Sequence, residues 1–273
     1  MNIKDRETLL KYARTEEDKL FLARLYDKAA QADKGSMTFT HFMDPHQRSV
    51  ARHFLVESGY RCLFEGGYEN AERVVALFSS PWDSWEAHAP DKLRNLSNYP
   101  LSLVEVVYKK NAYSEALTHR DYLGALMNLG VKREVLGDIL IQGGGAQIIV
   151  LDEMAPFLEN QLTRVGRMSV EAHRIPFDQL APPVHRTEEK TVTVPSMRLD
   201  AIVAEGFNLS RSEAARYIEA GKVYLMFEEC LSGSKAVEEG QIISLRGMGR
   251  ILLYKVGGQS KKNRLFVTLK KYV

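Results

Sequence analysis

The chain has 273 residues, 45% of them hydrophobic and 26% charged, with 37 Lys and Arg against 35 Asp and Glu. That is length for two or three domains that each bury a core, and no apolar run approaches the roughly 20 residues of a membrane helix. Cys62 and Cys230 lie far apart with no CxxC and no nearby histidine pair, which argues against a zinc site or a disulfide framework and predicts two buried thiols.

The first residues, MNIKDRETLLKYARTEEDKLFLARL, carry charges where a secretory signal needs an uninterrupted apolar stretch, so the cytoplasm is the expected location. Thr15 with Asp18 resembles a capping box, and Leu22, Leu25, Tyr26 and Ala29 follow at helical spacing up to a stop at Gly35. MDPHQ starts a second helix, with Asp44 as cap and Pro45 in the first turn, Ala51, Phe54 and Leu55 on one face and Gly59 as stop; YRCLF then reads as a strand.

From about residue 70 strands alternate with helices. RVVALF and LSLVEVVYK are β-rich, THRDYLGALMNLG is a helix ended by Gly130, DILI and AQIIVL flank GGG, DEMAPFLENQLTRV is helical, and VEAHRI is a last strand. Taken from Leu101, the order strand, helix, strand, strand, helix, strand predicts a ferredoxin-like αβ sandwich, a topology that also hosts RNA-recognition modules. Pro176, Pro182, Pro183 and Pro195 mark a linker with a boundary near residue 185.

Charge divides unevenly about that boundary. Residues 185–273 hold 15 Lys and Arg against 10 Asp and Glu, whereas residues 1–184 hold 22 against 25. Residues 241–273 contain eight basic side chains and no acidic one, which points to a polyanionic partner.

The stretch RLDAIVAEGFNLSRSEAARYIEAGKV, residues 198–223, encodes a short helical hairpin. Leu199, Ile202 and Val203 form the apolar stripe of its first helix, with Gly206 at the expected left-handed cap. Ser210 and Glu213 write a capping box for the second, whose Ala214, Ala215 and Ile218 face inward and which stops at Gly221. Arg211, Ser212 and Arg216 are left outside, near a helix start whose dipole also favours an anion.

Followed by a strand in KVYLMF, a turn at SGSK, Val237, Gly240 and ISLRGMGRI, this pattern resembles an S4-type RNA-binding domain over residues 195–257. It departs from the motif at Phe227, Glu228 and Glu229, where an Asn-Gly turn is usual, and at Gln241, where an acid is usual. The resemblance implies a phosphate grip by Arg198, Arg211, Ser212, Arg216 and Lys222, with Arg246 and Arg250 meeting the same backbone and Lys261, Lys262 and Arg264 extending it. Arginine's planar fork suits phosphate oxygens, and structured RNA is read by backbone shape more readily than by base edges.

S4-type domains also ride on enzymes, so the rest of the chain matters. The only RLD, ending at Asp200, lies in the hairpin and not in a separate pseudouridine synthase domain. GGG at 143–145 separates two strands and reads as a hairpin turn, not a nucleotide loop. HRD at 119–121 lacks the asparagine and phosphate loop of a kinase. The seven histidines are scattered, and no catalytic or metal residue is assigned. Trp82 and Trp85 in SSPWDSW either anchor a loop or stack on bases.

FMDPHQ (42–47), GGYENAERVVALF (66–78) and THRDYLGALMNLGVKREVLGDIL (118–140) resemble the YlmH family of bacterial S4-domain proteins, so that the likeness spans nearly the whole chain. The family implies a non-enzymatic protein of the bacterial cytoplasm that needs no cofactor. It implies binding to rRNA of the large ribosomal subunit carrying a peptidyl-tRNA after stalled ribosomes split, together with nascent-chain quality-control factors in ribosome-associated quality control, and a gene neighbourhood linked to cell division. An RNA-modifying enzyme or a cell-division accessory protein is the alternative. The expected architecture is α+β: a mainly helical segment 1–69, a central ferredoxin-like (RRM-like) αβ domain and linker 70–184, an S4-type domain 185–257, and a basic C-terminal extension 258–273. Arg120, Asp121, Lys132, Arg133, Glu134 and Asp138 are either caps and salt bridges or a second charged site.

Overall fold

The computed structural model describes residues 13, 15–35, 37–69, 71–79, 99–108, 116–181, 187–260 and 262–272. The fold is α+β, and the chain divides into two compact units, residues 1–183 and 184–273.

In the first unit, helix α1 (Glu16–Ala32) starts where Thr15 and Asp18 cap each other, each side chain accepting from the other's backbone N–H at 3.1 Å. Helix α2 (Pro45–Ser58) starts at Asp44 and ends at Gly59. Both helices pack on a three-stranded sheet of β1 (Thr38–Phe39), β2 (Cys62–Glu65) and β3 (Val75–Phe78), in the order β1-β3-β2, around Leu22, Leu25, Met43, Ala51, Phe54 and Phe78. Cys62 is a free, half-buried thiol whose pKa is pushed well up by desolvation, and Cys230 is also free and half-buried.

The second layer runs β4 (Leu101–Val107), α3 (His119–Asn128), β5 (Leu136–Gln142), β6 (Gly145–Leu151), α4 (Ala155–Gln161), the short hairpin β7 (Arg164–Val165) and β8 (Met168–Ser169), then β9 (Glu171–Ile175). The antiparallel order β5-β6-β4-β9 is the ferredoxin-like arrangement expected from the sequence. Every residue of β6 is buried. At Gly145 a Cβ would stand 1.9 Å from the Val106 carbonyl oxygen, so only glycine lets β4 and β6 close up there.

Two expected boundaries fall inside packed structure. The mainly helical N-terminal segment is present, but the division at 69/70 separates β2 from its partner β3, and Phe42, Val75 and Leu77 belong to the core around β4–β6, so this layer shares a core with the sandwich.

The second unit opens with β10 (Thr187–Val194) and the hairpin helices α5 (Leu199–Phe207) and α6 (Arg211–Glu219), followed by β11 (Val223–Leu225), β12 (Glu228–Glu229), β13 (Ile242–Leu245), β14 (Gly249–Gln259) and β15 (Leu265–Tyr272). They form one sheet in the order β10-β15-β14-β13-β11-β12. Its inner face, with Ile243, Leu245, Ile251, Leu253, Val267 and Leu269, packs against Leu199, Ile202, Val203, Ala214 and Ile218 of the helices. The expected extension 258–273 is therefore sheet: β15 lies between β10 and β14, and the division at 257 cuts through β14.

Gly206 is not the cap of α5. That conformation belongs to Asn208 (φ 55°), while Gly206 lies within the helix, where a Cβ would stand 2.3 Å from Ile251 Cδ1 on the sheet.

Candidate RNA interface

The hairpin helices bring their charged ends together around one buried acid. Asp200, in the first turn of α5, is 7% exposed; it accepts from Arg198 Nε and Nη2 at 3.2 and 2.9 Å and from Arg211 Nη2 at 3.2 Å on both oxygens. Burial pushes the Asp200 carboxyl up, but the bonds and charges of Arg198 and Arg211 outweigh it and hold the pKa below the ordinary carboxylate value. The same contact raises Arg198. The guanidiniums stay open to water, with side chains 44% and 53% exposed, so Asp200 orients two forks without enclosing them. The 232–235 turn closes the site from behind: the backbone N–H groups of Leu199 and Asp200 donate to the carbonyls of Lys235 and Gly233.

From this pair the basic residues follow α6. Ser210 and Glu213 cap it reciprocally, as the sequence predicted, and Ser212 and Arg216, one turn apart on one face, are both exposed. Lys222, just past the helix, lies over the Tyr217 ring at 5.5 Å, and its carbonyl accepts from the Arg246 backbone N–H at 2.9 Å. That bond joins the helix end to the β13–β14 turn. Arg198 and Arg211 thus meet at the start of the two helices, Ser212, Arg216 and Lys222 follow along α6, and the backbone of Arg246 is tied to its end.

The remaining predicted residues lie elsewhere. Arg250 is on β14 with its guanidinium 5.7 Å from the Tyr272 ring, on the sheet face turned away from the helices. Lys262 sits at the β14–β15 tip, and β14 is 11 residues long, which puts the tip on the order of 30 Å from Arg246. Arg264 donates from Nε to Thr193 Oγ1 at 3.0 Å and from Nη2 to the Thr193 carbonyl, and pairs with Glu205 at 3.7 Å; it fastens β10 and α5 to β15. Lys261 lies outside the described residues, as do Trp82 and Trp85.

In the first unit two acids of the charged stretch His119–Ile139 serve the fold, while Arg120 and Lys132 are exposed. Asp121 caps α3 through the Thr118 N–H and hydroxyl at 2.8 and 2.7 Å. Asp138 accepts from Tyr68 Oη at 2.7 Å and from the backbone N–H groups of Glu72 and Arg73 at 2.8 and 3.2 Å. Nor is the sandwich sheet open for bases to lie on. β6 is buried throughout, and the Gln147 side chain is held by the 179–181 segment through Gln179 O and the Ala181 N–H.

Sequence reading missed the organising role of Asp200. Its signal was present: a carboxylate two residues after one arginine and eleven before another, in the first turn of a mainly apolar helix. It also missed Lys190, whose ammonium donates to Glu205 O and Asn208 Oδ1 and so caps the C-terminal end of α5.

The chain is similar to known proteins. A family model described as "Putative RNA-binding domain in YlmH" matches residues 95–179, and the S4 domain model matches residues 197–243. The chain is 32% identical over 235 residues to the "Ribosome-associated protein quality control protein P2" of Bacillus subtilis (strain 168), covering 86% of this chain and 87% of that protein. A solved structure, "Cell division protein ylmH from Streptococcus pneumoniae", matches 62% of this chain and 98% of its own, with 27% identity and a TM-score of 0.48.

Proposed function

The chain belongs to the YlmH family of S4-domain proteins, and from that premise we propose that it is a non-enzymatic cytoplasmic protein that clamps the backbone of structured RNA, its target being rRNA or peptidyl-tRNA on the large ribosomal subunit during quality control of stalled nascent chains. The observation that carries this reading is the pair Arg198 and Arg211, set by Asp200, with Arg216 and Lys222 following along α6 and the backbone of Arg246 tied to its end. Donors held in place around a helix start suit phosphate oxygens, and a rigid convex hairpin follows the shape of an RNA helix whose base edges lie deep. The name of the Bacillus subtilis relative supports the ribosomal setting. Among the described residues no helix is long and apolar enough to cross a membrane.

The test is sedimentation of lysate through sucrose gradients at low and high salt, with and without RNase. Arg216→Glu with Lys222→Glu is the right variant, because both side chains are exposed and neither holds Asp200, whereas Arg211→Glu would set one carboxylate against another. Comigration of the wild type with the large subunit, lost with salt and lost in the variant, is the expected result. Each phosphate contact removed should flatten the salt dependence of log K by on the order of 0.7–0.9. A wild-type protein that stays at the top of every gradient rejects the ribosomal target, and an unchanged salt slope in the variant rejects the hairpin as the grip.

A further inference from the structure

We propose that the outer face of β14 and β15 is a second RNA surface, built to stack unpaired bases, so that the S4 unit holds a duplex backbone with its helices and a single strand with its sheet. This rests on the RNA-binding reading above but uses different residues and different chemistry.

Alternation along the strands separates the two faces. Ile251, Leu253, Val267 and Leu269 are buried under the hairpin helices, which leaves Arg250, Leu252 and Tyr254 of β14 and Phe266, Thr268, Lys270 and Tyr272 of β15 on the opposite side. A register shift between Leu253 and Lys255 breaks the alternation, so that Tyr254 and Lys255 are both exposed before Val256 returns to the core side. The Lys270 ammonium lies 3.3 Å from the Tyr254 ring centroid, and the Arg250 guanidinium 5.7 Å from that of Tyr272. Tyr254 is 47% exposed and Phe266 41%. The tip beyond Phe266 carries Lys262, and acids border the set: Glu189 stands 3.9 Å from Lys270, and Glu239 accepts from the Val256 backbone N–H at 2.8 Å.

Cross-strand pairing alone does not account for this face. A solvated antiparallel face is ordinarily polar, and threonines like Thr191 and Thr268, which bond each other at 3.2 Å, would serve the sheet without exposing rings. Here rings alternate with Arg250, Lys255 and Lys270. An acidic peptide would use the cations and leave the rings idle, and an apolar partner would meet a cation at every second position. Unpaired nucleotides use both, since every base offers a π-face and every linkage a phosphate. Paired RNA does not offer its base faces, which divides the two substrates between the two surfaces.

The experiment measures full-length protein against two labelled probes by fluorescence anisotropy: an unstructured oligoadenylate of about a dozen nucleotides and a fully paired RNA stem. Tyr254→Thr with Phe266→Thr, which keeps β-propensity and every charge, should weaken the oligoadenylate at least tenfold with its salt slope unchanged, and leave the stem within twofold. Arg216→Glu should do the reverse, and Tyr254→Phe with Phe266→Tyr should bind both probes as wild type does. Equal loss on both probes, or no loss on the oligoadenylate, overturns the proposal. If the threonine variant does not fold by circular dichroism, photocrosslinking of wild type to a 4-thiouridine oligomer decides. Adducts on Tyr254 or Phe266 support the sheet, and adducts confined to residues 198–222 reject it. Wild-type protein that binds the stem but not the oligoadenylate removes this proposal alone; protein that binds neither removes the RNA reading with it.

Discussion

Arginines of the two units do opposite work. Arg73 is buried, with Nε donating to the Leu136 carbonyl at 2.7 Å and Nη2 to those of Arg133 and Phe42 at 3.0 and 3.4 Å. Burial first, and then the neighbouring charge of Arg133, lower its pKa, with Asp44, Asp138 and Glu72 opposing. Its donors close the seam between the N-terminal layer and β5. Arg198 and Arg211, in contrast, share one carboxylate and turn the rest of their forks to water. A formal charge in a sequence is thus no measure of charge offered to a partner. What counts is how many of the five guanidinium N–H groups the fold has already used.

The largest effect should come from the seam. Asp138→Ala strips three donors of their acceptor and removes one of the carboxylates near Arg73 and Arg133, so a loss of about 3 kcal/mol of stability is expected by chemical denaturation. Stem-RNA affinity of the folded fraction should not change, because the proposed grip is in the other compact unit. A cost under about 1 kcal/mol would break the contrast, since it would make Asp138 no more than a surface acid.

Asp200→Asn sharpens the contrast from the other side, because its sign separates positioning from charge. Removing a carboxylate beside phosphates should tighten binding if the surface acts by net charge. If Asp200 orients two guanidiniums, binding of the stem should instead weaken about tenfold, roughly 1.4 kcal/mol. Titrations at two salt concentrations separate the two. The same carboxyl gives a pH signature: its folded pKa lies below the unfolded value, so its stabilisation is complete above the unfolded pKa of about 3.9 and is lost as pH falls through the folded one. Acid unfolding of Asp200→Asn should therefore lack one component below about pH 4 that wild type shows.

Much of the fold was written locally, and much of what was misread was not. Reciprocal capping boxes such as those at Thr15, Asp44 and Ser210 are contained in four-residue windows, and the strand–helix alternation from Leu101 is a matter of period. Gly206 was misplaced because its reason lies 45 residues away at Ile251. The tail from 258 looked like an extension because β15 pairs with β10, more than 70 residues earlier, and basic residues in a strand resemble basic residues in a tail. Of the candidate site, the line through α6 was legible because one helix carries it. The fastening role of Arg264 was not, since its bonds to Thr193 depend on strand order, and the ring-bearing face of β14 was hidden by the bulge that breaks its alternation.

The smallest effect tests whether burial overrules backbone preference as it overrules charge. Met226 and Phe227, which join β11 to β12, both take left-handed backbone (φ 50° and 66°), the conformation for which Asn-Gly is suited. Phe227 is buried, whereas Met226 is exposed and its sulfur accepts only a weak bond from the Ile242 N–H at 3.2 Å. Two neighbours with one backbone strain should therefore respond with opposite signs. Met226→Asn relieves part of the strain and should raise stability by about 0.5–1 kcal/mol, a shift of a few degrees at most in the thermal midpoint. Phe227→Gly relieves as much or more but empties a buried ring site, and should lower stability by about 2–3 kcal/mol. If both substitutions stabilise, the turn and not the core sets this corner, and the departure from Asn-Gly has no packing reason.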